Sequence, residues 1–94
     1  MSPSEATHLN HHQRETVRKI YAHPITHGLS WHDVESLLDA IADETTSHDD
    51  RYHVTAGDVT RVFVRPRSKE LGAEEVVELR HFLEAVGVTE ETVS

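Results

Sequence analysis

Two short alternating runs, RYHVTA (51–56) and VTRVFVR (59–65), flank the pair Gly57-Asp58. No other feature constrains the fold as tightly, because a period-two apolar pattern broken by a glycine-containing pair reads as a β-hairpin. Tyr52 and Val54 share one face of the first run, and Val62 and Val64 share one face of the second. Making those faces coincide sets His53 opposite Arg61 and leaves Ala56, Gly57 and Asp58 as a three-residue loop. A two-residue loop would slip the register by one and turn His53 toward the core. In the expected register the core side takes Tyr52, Val54, Val62 and Val64. The opposite face then displays Arg51, His53, Arg61, Phe63 and Arg65. ETTS (44–47) adds a weak candidate for a third strand.

Helical spacing surrounds the hairpin. SWHDVESLLDAIA opens with Ser30, and Asp33 three residues later makes a near capping box. Trp31, Val34, Leu38 and Ile41 recur at helical spacing with Leu37 beside them, a core-facing stripe anchored by Trp31. AEEVVELRHFLEAV (73–86) repeats the pattern with Val76, Leu79, Leu83 and Val86. Glu74 and Glu75 sit in its first turn, where the helix dipole favours anions, and Gly87 stops it. An earlier helix over about 10–22 carries a weaker stripe of Val17, Ile20 and Tyr21 and is ended by Pro24. The order helix, helix, two or three strands, helix predicts an α+β fold with helices on one face of a small antiparallel sheet. Residues 9–88 are expected to form a single domain, with polar, flexible ends at 1–8 and 89–94.

Ninety-four residues suit one compact domain. Cysteine is absent, so neither a disulfide nor a thiolate metal site can form. The opening MSPSEATHLNHH has no apolar run of the secretory kind, and no stretch reaches the length of a membrane span. A soluble, cytoplasmic protein is the expectation.

Charge is spread unevenly. Nine Lys and Arg face seventeen Asp and Glu, a net charge of −8. Yet Arg61, Arg65, Arg67 and Lys69 fall within RVFVRPRSK, which contains no anion. The acidic balance excludes broad, non-specific nucleic-acid binding but leaves a local contact open. These cations run from the end of a strand into the loop before the last helix, where free N–H groups favour phosphate. Phe63, with Arg61 and Arg65 at its sides, is placed to stack on a base. The competing explanation is that the cations balance Glu70, Glu74, Glu75 and Glu78 on one surface.

His53 is the titrating side chain on that sheet face and a candidate general acid or base. The other histidines form loose clusters, His8/His11/His12 and His23/His27/His32, without the fixed convergent spacing of a zinc site. No metal or other cofactor is expected. There is no Gly-rich phosphate loop and no nucleophile elbow.

HPITHGLSWHDVESLLDAI, RYHVTA, VFVRPRSKEL and VVELRHFLEAVGV, taken in order, resemble the HicA toxin family of bacterial toxin–antitoxin pairs. The resemblance runs over residues 23–88. It implies a double-stranded-RNA-binding-like domain, here with an extra N-terminal helix. It also implies a metal-independent mRNA endoribonuclease that is silenced by a HicB-like antitoxin. The family's catalytic histidine maps onto His53, and its basic loop onto Arg65, Pro66, Arg67 and Lys69. With Arg51, Arg61 and Phe63 from the sheet face, these make the expected RNA contact. Arg51-Tyr52 stand where the family has Gly-Ser, and Val64, Arg67 and Ser68 stand at positions where it commonly has histidine. The alternative is a non-catalytic RNA- or protein-binding module that keeps the fold.

In cleavage, a base would remove the ribose 2′-OH proton while cations stabilise the phosphorane. His53 would be that base, with Arg61, Arg65 and Arg67 as the cations, and the need for a 2′-OH would restrict the reaction to RNA.

Overall fold

A computed structural model describes residues 9–25 and 28–93. The elements run α1 (His11–Tyr21), α2 (Trp31–Ile41), β1 (Glu44–His48), β2 (Arg51–Ala56), β3 (Val59–Val64), α3 (Ala73–Ala85) and a terminal turn, α4 (Glu90–Val93). The strands form one antiparallel sheet in the order β1-β2-β3, so β2 is central and the weak ETTS run is a true strand.

Local chemistry sets the helix starts. Asn10 accepts from the Gln13 N–H at 2.8 Å while the Gln13 side chain accepts from the Asn10 N–H at 3.0 Å, a reciprocal cap for α1. Ser30 Oγ caps α2 by accepting from the His32 N–H at 3.1 Å. Asp33 does not complete the expected box; it lies 2.9 Å from His12 Nε2 and ties α2 to α1.

The stripes pack as their spacing requires. Trp31, Val34, Leu37, Leu38 and Ile41 of α2 are buried, as are Val76, Leu79, Phe82 and Leu83 of α3. Alternation along β2 buries Tyr52, Val54 and Ala56 against these helices. Trp31 meets Tyr52 edge-on at 5.6 Å, and Phe63 meets Phe82 edge-on at 5.7 Å. α1 packs on α2 and α3 as an outer helix. Arg80 Nε and Nη2 donate to the carbonyls of Ile20 and Ala22 at 3.1 and 3.4 Å, holding the end of α1. One buried cluster runs from Leu9 to Val88.

Tyr21 Oη donates to the Val88 carbonyl at 2.6 Å, and Glu90–Val93 form a helical turn against α1. The expected flexible stretch 1–8 lies outside the described residues. Among the described residues no helix is long and apolar enough to cross a membrane.

The hairpin register differs from the expectation by one residue. Tyr52 pairs with Phe63, His53 with Val62 and Val54 with Arg61, while Ala56 pairs with Val59. The loop is therefore two residues, with Gly57 at φ 61 in its first position. A two-residue turn with a left-handed glycine matches the natural twist of paired strands, and it fixes the register. The slip falls on β3 and not on β2. His53 keeps to the open face, whereas Phe63 turns into the core at 6% exposure. Val62 and Val64 turn out, at 47% and 56%. In this register the Phe63 ring packs edge-on against Phe82.

Candidate functional site

The register and its continuation sort every sequence-selected residue onto a face. Directly opposed residues of an antiparallel pair project to the same side. The uncovered face thus carries Glu44, Thr46 and His48 of β1, then Arg51, His53 and Thr55 of β2, then Thr60, Val62 and Val64 of β3. His53 sits at its centre, half-buried, between Thr46 and Val62, with Arg51 two residues along the same strand.

Arg61 lies opposite Val54 and so belongs to the helix side of the sheet, where its guanidinium donates to the Thr60 carbonyl at 3.0 Å. Arg65 continues the ladder, its N–H donating to the Asp50 carbonyl at 2.7 Å. Alternation puts its side chain on the helix side too, 4.0 Å from Glu35 of α2. The expected constellation of His53 with Arg61, Phe63 and Arg65 is not assembled. Phe63 is in the core and offers no exposed ring to a base.

Arg67 and Lys69 are exposed in the loop that follows β3. The Lys69 N–H donates to the Pro66 carbonyl at 3.2 Å, closing a turn, and Lys69 itself adopts φ 67. Its carbonyl accepts from the Trp31 N–H at 2.9 Å, and the Leu71 N–H donates to the Leu29 carbonyl at 2.9 Å. These two bonds flank the Ser30–Glu70 bridge and fasten the loop to the start of α2. Arg51 and Arg65 stand at one end of the sheet, beside the Asp49-Asp50 turn of the β1–β2 hairpin but on opposite faces, and Arg67 and Lys69 follow in the loop.

The start of α3 already has a carboxylate of its own. Glu75 Oε1 accepts from the Gly72 N–H at 2.8 Å, so the helix supplies its own anion at that terminus.

A polar cluster that no sequence pattern marked lies on the helix side. Tyr52 Oη donates to Asp39 Oδ1, which also accepts from Thr45 Oγ1 at 3.1 Å. Burial first, and then this bond to a carboxylate, push the Tyr52 phenol up to about 12. Burial and the nearby Glu84 push Tyr21 up to about 12 as well. Next to the Asp39 cluster, Gln13, His32, Glu35, Ser36 and Ala40 line a shallow depression. Among the described residues no three His, Asp or Glu side chains converge as metal ligands. His8 and His27 lie outside them.

No protein-family model, curated protein or solved structure matches this chain.

Proposed function

We propose that the chain is a HicA-like RNA-binding module that grips phosphate through Arg51, Arg65, Arg67 and Lys69 and holds RNA without cutting it. One observation carries the second half of this reading. The register puts His53 on one face of the sheet and Arg61 and Arg65 on the other, so the base and the cations needed for phosphorane stabilisation do not converge. The order helix, three strands, helix, with both helices on one face, is compatible with the double-stranded-RNA-binding-like fold that the HicA resemblance implies. Four cations on the strand ends and the loop at one end of the sheet, in an otherwise acidic domain, support a contact that is local and salt-sensitive.

A nuclease reading keeps one observation in its favour. His53 is mid-sheet on the uncovered face with Arg51 beside it, a base and one cation accessible together. In that reading the chain is a toxin silenced by a HicB-like partner. Induced expression of wild type and His53→Ala, with mRNA decay and growth followed together, separates the two. Binding without cleavage predicts intact mRNA in both strains. Cleavage and arrest in wild type that vanish in His53→Ala would replace it with the nuclease.

A further inference from the structure

The two edges of the sheet are unlike each other. β1 is short and wholly polar, reading Glu44, Thr45, Thr46, Ser47 and His48. Natural sheets blunt edges in this way, because an unpaired strand is a template for another chain. β3 is not blunted along its exposed face, where Val62 and Val64 stand half exposed and adjacent.

The ladder shows which backbone groups of β3 are free. Ala56 and Val59 close the two-residue turn, and the Arg65 N–H bonds the Asp50 carbonyl in the same register. Hydrogen-bonded and non-bonded pairs alternate in an antiparallel ladder. Val59, Arg61, Phe63 and Arg65 thus turn their N–H and C=O groups inward to β2. Thr60, Val62 and Val64 turn theirs outward. The residues with outward backbone groups, of which the Thr60 carbonyl already accepts from Arg61, are the same ones that put side chains on the uncovered face. Their neighbours Arg61 and Arg65 project to the other side, both exposed.

We infer that the β3 edge receives an extended segment of a partner protein by strand addition, and that this segment alternates apolar and acidic residues. Its apolar side chains would cover Val62 and Val64, and its carboxylates would face Arg61 and Arg65. Strand addition draws affinity from main-chain hydrogen bonds and specificity from alternate side chains, and this edge provides both. Charge selects the occupant. A second copy pairing β3 with β3 would crowd arginines together, and β1 of another copy has no apolar residue for the valines. On docking, the Arg61 guanidinium leaves the Thr60 carbonyl, and a partner carboxylate competes with Glu35 for Arg65.

The test uses the full chain and a synthetic peptide of nine residues alternating valine and glutamate, with amide hydrogen exchange read residue by residue. Slower exchange at Thr60, Val62 and Val64 on peptide addition, with Arg61 and Phe63 unchanged, is the expected result. A matched valine–lysine peptide should bind at least about tenfold more weakly, a difference of about 1.4 kcal/mol. Val62→Pro removes only an outward N–H, a position where edge strands tolerate proline, and should abolish the protection in a folded protein. Should that variant unfold, Val62→Lys/Val64→Lys leaves the ladder intact and should weaken the acidic peptide about tenfold or more. Binding that protects none of the three amides would overturn the inference. So would equal affinity for both peptides, or a concentration-dependent dimer that protects the same amides without peptide.

Discussion

Phe63→Ala reports directly on which face of β3 is buried. Phe63 is 6% exposed and meets Phe82 edge-on at 5.7 Å, so truncation removes nearly a whole phenyl group from the core. The expected cost is about 3–5 kcal/mol. That is a large share of the roughly 5–15 kcal/mol by which such domains are stable. At about 4–8 °C per kcal/mol for a domain this small, the melting temperature should fall by at least about 12 °C. Val62→Ala and Val64→Ala remove side chains that are 47% and 56% exposed. Each should change stability by no more than about 0.5 kcal/mol, as surface substitutions do. Urea unfolding of the three variants, followed by circular dichroism, makes the comparison. The reverse ranking, with both valines costly and Phe63 cheap, would refute the two-residue turn and everything placed by it.

Two other substitutions test the polar framework. Tyr52 has a folded pKa of about 12 against about 10 for an unperturbed phenol, so the unfolded chain loses its proton first as pH rises. Its stabilisation should be complete below pH 10 and be lost between about 10 and 12; Tyr52→Phe should flatten that decline in urea titrations across the range. Arg80→Ala frees the Ile20 and Ala22 carbonyls and should cost about 2 kcal/mol, as charged hydrogen bonds do, with faster amide exchange confined first to α1.

The element order was legible because α2 and α3 carry unmistakable helical stripes and β2 alternates cleanly. The phase of β3 was not. Val62, Phe63 and Val64 are all apolar, so period-two reasoning cannot choose between them, and the length of the turn decides. A one-residue slip exchanges every β3 side chain between faces. That is why His53 and Arg51 stayed on the face assigned to them while Arg61, Phe63 and Arg65 left it. The Asp39–Tyr52–Thr45 cluster was invisible for another reason. Its members come from three elements, and nothing in their spacing brings them together before the sheet docks on α2. Near the C-terminus, Val88 is buried beyond the expected helix stop, and its carbonyl accepts from Tyr21 Oη.

We propose that the cationic end of this acidic domain holds RNA. Equilibrium binding of a labelled single-stranded RNA, measured against salt for wild type and Arg65→Gln/Arg67→Gln, tests it most directly. Four phosphate contacts at about 0.7 each give a slope of log affinity on log salt no steeper than about −3. Removing two of the four cations should roughly halve that slope, while His53→Ala should leave it unchanged. No binding at low salt, or an identical slope in the double variant, would rule out RNA binding through these cations.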